Sequence, residues 1–397
     1  MGDLLSMGEA LRLVLERARP LRAEGVPLAE AAGRVLAEPA VASVDLPPFN
    51  SSAMDGFAVR AADTPGELPV GFRIAAGRPS PRPLEAGEAM AIATGAAVPA
   101  GADAVIPSEY VVEHDNRVAI ERPVQPGASV RPRGGDARRG DPVVVAGERV
   151  GPAQLGALAA AGVAEVSCAR RPRAAVLTTG SELRSPGEQL EPGQIYEANG
   201  VILAAQLESA GAEVERLPAV ADEPGAHRDA LERGLAGDVL VSSGGVSVGP
   251  HDLVRSVGAE LGIEQVFWRV AVKPGKPLWF GVRGQTLVFG VPGNPVSSLV
   301  SFELFVRPAV LALQGATDPG PRFALGTLAT VVRRNDARDE LLRARSSVED
   351  GELVLRPVTG QDSHMIVRAA EADALVLVPR GDGEVGAGER VRYLPLG

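Results

Sequence analysis

Near the N-terminus, apolar positions recur at helical spacing. Leu11, Val14, Leu15 and Ala18 fall on one face of a segment that also carries Glu9, Arg12, Glu16 and Arg17. That alternation predicts an amphipathic, core-facing helix rather than the apolar run of a signal peptide. A second helix is expected over LAEAAGRVLAEP (28–39), before Pro47 and Pro48 break the pattern. From Phe49 to about Asp141 the texture changes to short apolar runs between glycines and prolines: FRIAAG, AMAIATG, DAVIPSEYVVE and RVAIERPV. Such runs predict a small β-rich module. GPAQLGALAAAG then predicts a helix with Pro152 near its start and Gly162 at its end.

The texture changes again at Arg173. The apolar runs RAAVLTTG, ERLPAV, DVLVSSGG and TLVFGVPG alternate with the helical stretches NGVILAAQLESAGAEV, AHRDALERGLAG, the Asp252–Val257 segment and VSSLVSFELFVRPAVLAL. Strands separated by crossover helices imply a parallel sheet covered on both faces. After about Gln314 alternating strands return as FALGTLATVV, ELLRARSSV, ELVLRPV, ALVLVP and ERVRYLPL, a small barrel or sandwich.

Length and composition narrow the function. At 397 residues, more than one core is expected. Asp+Glu total 50 against Lys+Arg 40, a formal charge of −10, and aromatic residues are 4%. An acidic chain with few stacking rings argues against generic nucleic-acid binding. No stretch approaches the ~20 uninterrupted apolar residues of a membrane span. The single cysteine, Cys168, excludes an intramolecular disulfide and any multi-cysteine metal site, which favours a reducing cytoplasm. Cys168 itself reads as an inert structural thiol.

Candidate chemistry gathers at three strand-end loops: TTGSEL (178–183), SSGGVSVG (242–249) and VPGNPVSS (291–298). Loops at the carboxyl ends of parallel strands converge on one edge, where ligands bind. Gly244, Gly245 and Gly249 would let backbone N–H groups approach an anion, with the hydroxyls of Ser242, Ser243 and Ser247 as further donors. Any one such loop is equally a turn that needs small residues; three in one domain favour a ligand site. There is no GxGxxG and no Walker A lysine pattern. VKPGKP places Lys273 and Lys276 on a proline-stiffened turn, a compact cationic site for phosphate or an oxyanion. Five carboxylates recur beside these loops or in glycine-flanked loops of the β-rich module: Glu182, Asp238, Asp252, Asp55 and Asp136. Hard oxygens of this kind suit Mg²⁺ together with a ligand phosphate; of the five, Asp238, at the start of a strand, reads as structural. His114, His227, His251 and His364 show no metal spacing.

The ordered set NSSAMDGFAV, ATGAAVPAGADAVI, RPRGGDARRGD, RPRAAVLTTGSEL, SSGGVSVG, VKPGKP and GVPGNPVS resembles the molybdopterin molybdenumtransferases, the MoeA and gephyrin E-domain family, as does SHMIVRAAEADALVLVP near the C-terminus. The resemblance covers nearly the whole chain. It implies four parts: an elongated N-terminal helical or linker domain over 1–44 and 142–172, a β-rich inserted module over 45–141, a central parallel α/β molybdopterin-binding domain over 173–316, and a small C-terminal β-barrel over 317–397.

It also implies insertion of molybdate-derived metal into adenylylated molybdopterin with release of AMP, Mg²⁺ assisting. Ser242 to Gly249, Lys273, Lys276, Pro292, Gly293, Asn294 and Pro295 would hold the pterin and its phosphates. Glu182, Asp252, Asp55, Asp136 and Thr94 would line the transfer site, with Glu182, Asp252 and Asp55 as metal ligands and Glu182 the first candidate for moving a proton. The family forms a homodimer whose cleft both subunits build, so Asp55, Thr94 and Asp136 would reach across from the partner. The molybdopterin adenylyltransferase is an implied further partner. The chain departs from the family pattern at Ser181 and Gly135, which each replace a polar candidate ligand. The alternative readings are an adenylyltransferase, a scaffold protein, and a pterin or oxyanion carrier without turnover.

Overall fold

The structure is a computed structural model that describes residues 4–221, 223–245 and 253–396. Its centre is a six-stranded sheet in the order Glu213–Arg216, Arg173–Thr178, Val239–Ser243, Thr286–Val291, Trp279–Arg283, Glu264–Trp268. The first four strands are parallel, and the last two continue the sheet antiparallel. Those two antiparallel strands are absent from the sequence reading, because their apolar residues flank the KPGKP turn and lack a helix between them.

The parallel strands are short apolar runs buried on both faces; Val239, Leu240 and Val241 are all fully buried. Phe267, Phe280 and Phe289 stack through the sheet with centroids 5.5 and 4.8 Å apart, each burial contributing roughly 1.5–3 kcal/mol. The apolar helix Pro295–Leu313 is long enough to cross a membrane by composition, but 83% of its window is buried inside this unit. It carries a π-helical turn at Phe302–Val306, just before Pro308, whose missing N–H cannot sustain the regular ladder. Its Glu303 is clamped by Arg307 and by Gln206 of the helix Asn199–Ser209.

The N-terminal helix forms at Met7–Leu15, with Ser6 and Glu9 in a capping box. Ala10 and Val14 enter the core of the α/β unit. The helix expected over 28–39 does not form. Only Leu28–Glu30 makes a 3₁₀ turn, Gly33 adopts φ +74°, and Val35 and Leu36 bridge to Arg149 and Cys168. Long-range pairing therefore overrides a helix-favouring composition there. These residues share a small core with the helix Pro152–Ala160, in which Cys168 is fully buried and burial pushes its thiol pKa up. The module between them is a six-stranded sheet running from Ala104–Pro107 to Val112–His114.

At the C-terminus five strands close on themselves: Asp339–Glu349, Glu352–Pro357, Ala324–Leu328, Arg390–Pro395, Ala374–Val378, and back to Asp339–Glu349. Val272–Lys273 adds a parallel rung beside Asp339–Glu340, so the lysine turn is tied to the barrel.

Asp238 is structural. It sits at the start of its strand, takes both Arg170 terminal nitrogens at 2.6 and 2.7 Å, and accepts the Arg173 N–H. Burial opposes its ionisation, but the Arg170 bonds, the Arg173 N–H and both charges outweigh it and hold its carboxyl below the ordinary aspartate value. A depressed folded-state pKa stabilises the fold above the unfolded value of about 3.9 and loses that contribution as pH falls through the folded pKa. Asp238→Asn is therefore expected to cost on the order of 2–3 kcal/mol at pH 7. Denaturant unfolding across pH 7 to 2.5 should show the deficit shrinking below about pH 4.

Candidate functional site

The carboxyl ends of the parallel strands form one edge, as expected, but the three loops differ in construction. Thr286–Val291 runs directly into the helix at Pro295, with Asn294 in the cap position. Arg173–Thr178 instead leads to a long excursion through Leu183–Arg184 and Ile195–Tyr196 before the helix at Asn199. The third loop leaves Val239–Ser243; Ser247, Gly249, Asp252 and His251 lie outside the described residues.

Gly244 and Gly245 adopt φ +92° and +65°. A Cβ on Gly244 would stand 2.8 Å from Thr179 Oγ1 and 2.9 Å from the Thr179 carbonyl oxygen. The first and second loops are thus packed backbone to backbone, with the Thr179 N–H donating to the Ser243 carbonyl at 3.1 Å. Gly244→Ala combines a left-handed conformation with a backbone clash, and should cost about 2–3 kcal/mol by chemical denaturation.

Ser242 is fully buried, and its hydroxyl has no hydrogen-bond partner among the described residues. The Ser243 hydroxyl is buried too: it accepts from Asn199 Nδ2 at 2.8 Å and donates to the Pro292 carbonyl at 3.3 Å. Asn199 Nδ2 also donates to the Gly293 carbonyl at 2.6 Å. One side chain therefore fastens the second loop to the third. The sequence reading missed Asn199, although an Asn opening a helix beside three ligand loops was a signal. Ser243 ties the loops together rather than opening into the site.

Lys273, Lys276, Pro292 and Asn294 line one cavity of about 280 Å³ with Ser297, Arg338, Gln361, Asp362 and Ser363. Lys273 Nζ is 2.9 Å from Glu340 Oε1, which aims its chain along the barrel edge. Lys276 is exposed and makes no ion pair among the described residues. Asn294 Nδ2 donates to Ser363 Oγ at 2.8 Å, and the Val296 N–H donates to the Ser363 carbonyl at 3.1 Å. The barrel's 360–365 loop is thereby docked on the start of the Pro295–Leu313 helix. Arg343, with a side chain 1% exposed, holds that loop from behind. Its bonds and Ser363 are the second omission of the sequence reading. Lys273, Lys276 and Arg338 thus gather near a helix N-terminus, with Asp362 in the cavity wall and Glu340 on Lys273.

The carboxylates divide between two units. Glu182 is exposed and folds back over Gly180, with no hydrogen bond or ion pair to its carboxylate among the described residues. Asp55 and Thr94 meet in the β-rich module, where the Thr94 N–H donates to Asp55 Oδ1 at 2.7 Å. Asp136 is exposed, and its N–H donates to the Leu46 carbonyl. The loop around it is pinned by Asp45, which binds Arg133 and the Arg139 N–H. The Arg139 N–H first, then Arg133, hold the Asp45 carboxyl below its ordinary value. No residue of this module lines the lysine cavity. Among the described residues no three His, Cys, Asp or Glu side chains gather as a metal cluster. Ser181 and Gly135 are both exposed.

Comparison with known proteins agrees along the whole chain. Residues 5–162 match the family model described as MoeA N-terminal region (domain I and II), 175–312 that of a probable molybdopterin binding domain, and 326–396 that of the MoeA C-terminal region (domain IV). Among curated relatives, molybdopterin molybdenumtransferase 2 of Mycobacterium tuberculosis is 38% identical over 98% of this chain and 99% of its own. Molybdopterin molybdenumtransferase of Haemophilus influenzae is 34% identical over 99% of each. Among solved structures, the molybdopterin biosynthesis moeA protein of Pyrococcus horikoshii superposes with TM-score 0.85 at 29% identity, covering 99% of this chain and 100% of that one.

Proposed function

This chain belongs to the MoeA family of molybdopterin molybdenumtransferases, transferases of molybdenum cofactor biosynthesis, and from that premise we propose how its own residues do the work. The substrates are adenylylated molybdopterin and molybdate, and AMP leaves as the metal enters the dithiolene. The observation that carries this reading is the cavity where Lys273, Lys276 and Arg338 meet Asn294, Ser297 and Ser363. It offers an oxyanion three cations and several neutral donors, with Glu340 keeping Lys273 in place. Lys276, exposed and without an ion pair among the described residues, supplies charge for molybdate. The Gly244–Gly245 turn and the Asn199-fastened loops position the pterin beside it, converting a bimolecular encounter into a local one.

Mg²⁺ requires only one or two carboxylates plus phosphate oxygens and water. Glu182, exposed in its strand-end loop and with a carboxylate that makes no bond to protein among the described residues, fits that donor set; Asp252 and Asp55 complete the proposed ligands. Bound there, Mg²⁺ would polarise the phosphoanhydride of the substrate. We assign Glu182 as the group that moves the proton on release of adenylate.

The dimer is part of the same proposal. Asp55, Thr94 and Asp136 sit on a module with Phe49 and Met54 exposed at 43% and 40%, away from the lysine cavity of their own chain. A second copy would bring that face to the cavity, completing the site. The adenylyltransferase that makes the substrate is the natural donor partner, and the buried lone thiol of Cys168 suits the cytoplasm.

The test is AMP release from adenylylated molybdopterin with Mg²⁺ and a molybdate titration. Molybdate-dependent release, reduced about a hundredfold or more in Glu182→Gln and in Asp55→Ala, is expected. Unchanged release in Glu182→Gln would remove its proton role. Mixing Asp55→Ala with Lys276→Ala chains should restore part of the activity if the site is shared.

A further inference from the structure

A second concentration of positive charge lies at the opposite, amino-terminal edge of the central sheet. There Arg17, Arg19 and Arg22, on the segment that follows the first helix, face Arg170, Arg171 and Arg173, with Gly284 and Gln285 of a hairpin turn opposite. Together they line an open cleft of about 910 Å³, against two acidic residues among the described residues, Glu24 and Glu213. Glu24 is already held by Arg34 at 2.6 Å. Massing six guanidinium groups in a chain of net charge −10 is unfavourable unless something anionic relieves it.

The protein relieves only part of it. Arg170 is fixed by Asp238, and Arg17 reaches Glu16 at 3.5 Å. Arg173 reaches only the Ala236 carbonyl, at 3.4 Å. Arg19, Arg22 and Arg171 have no acceptor for their guanidinium groups among the described residues. The walls are otherwise Pro20, Leu21 and Leu313, without an aromatic ring, so a bound base or pterin would find no stacking surface. Guanidinium forks from two chain segments match successive phosphate groups. A single phosphate can engage one or two such forks, whereas a chain of three can engage more of them at once.

We propose that this cleft binds a polyphosphate chain, either inorganic polyphosphate or the triphosphate tail of a nucleotide, at a site separate from the lysine cavity. The strand Arg173–Thr178 separates the two edges by about 20 Å. The inference does not depend on the reaction proposed above.

Titration calorimetry of the full chain with tripolyphosphate, ATP, AMP and orthophosphate tests it. Tripolyphosphate and ATP should bind with similar affinity, and AMP and orthophosphate roughly tenfold more weakly or worse. Tripolyphosphate without ATP would identify the inorganic chain as the ligand; similar binding of both identifies the shared triphosphate. Arg22→Ala/Arg171→Ala should weaken tripolyphosphate about tenfold or more while molybdate-dependent AMP release and the melting temperature stay at wild-type values. Lys276→Ala should leave tripolyphosphate binding unchanged. Loss of binding in Lys276→Ala instead, or no binding at all by the wild type, overturns the proposal. So does a change of oligomeric state in the double variant, which would make the cleft an interface between copies.

Discussion

Lys276→Ala is expected to raise the molybdate concentration for half-maximal AMP release by about a hundredfold, the loss of a charge-assisted contact of roughly 1.5–3 kcal/mol. The sequence gives this residue unusual weight. Of the 40 basic residues, only Lys273 and Lys276 are lysine; every other is arginine. A chain that uses guanidinium everywhere else but keeps two ammonium groups in one turn needs what ammonium offers, a compact charge with three rotatable donors. Lys276→Arg keeps the charge but puts a larger, planar head where a compact ammonium stood, so in a cavity of about 280 Å³ it should recover only part of the lost affinity. Lys273→Ala should weaken molybdate too, and in addition strand the 8%-exposed Glu340, so its melting temperature should fall where that of Lys276→Ala does not. The same scarcity gives a direct check. Reductive methylation of the folded protein can reach only these two side chains and the chain terminus, so molybdate should protect Lys276 from modification. Equal labelling with and without molybdate would place the oxyanion elsewhere.

The lysine turn shows what a sequence exposes well. Its residues are consecutive, and their spacing and rigidity are local properties. The five barrel strands are legible for the same reason, since alternation within FALGTLATVV or ALVLVP is visible without knowing the partner strand. The helix expected over 28–39 failed because its fate is set by Arg149 and Cys168, more than a hundred residues away. Asp55 and Thr94 were each singled out, but the 2.7 Å bond joining them across 39 residues follows only from the strands Gly56–Val59 and Ala89–Ile92 lying side by side. Asn199 and Ser363 were missed because each looks like ordinary helix-start or loop polarity until the opposite loop is in place. Pairing chemistry with a cavity needed the barrel to be docked on the α/β unit, and docking is a three-dimensional fact.

Arg343 carries that docking, and its removal should have the largest effect on stability of any single change in the barrel. It lies inside the Asp339–Glu349 strand, in a sequence of alternating residues where an arginine reads as solvent-facing. Instead it is 1% exposed and donates to the carbonyls of Gly360, Asp362 and Met365 at 2.8, 3.2 and 2.9 Å, and to Gln361 Oε1 at 3.3 Å. Burial pushes its pKa down and the Asp362 charge pushes back; the guanidinium stays charged. Arg343→Leu removes the side-chain donor shared by three carbonyls and an amide oxygen, and should cost about 3–5 kcal/mol in denaturant unfolding. Gln361 Oε1 keeps the residue-343 N–H, and the Asp362 and Met365 carbonyls keep the N–H groups of Met365 and Ala369. The consequence for the site is separable from that cost. Without its anchor the 360–365 loop no longer presents Ser363 to Asn294 and Val296, so folded Arg343→Leu protein at low temperature should still need roughly tenfold more molybdate. Arg343→Lys keeps the charge but can reach only some of these acceptors, and should fall between the two in both measurements. If Arg343→Leu lowers stability and leaves the molybdate requirement of the folded fraction untouched, the barrel loop supports the fold without shaping the oxyanion cavity.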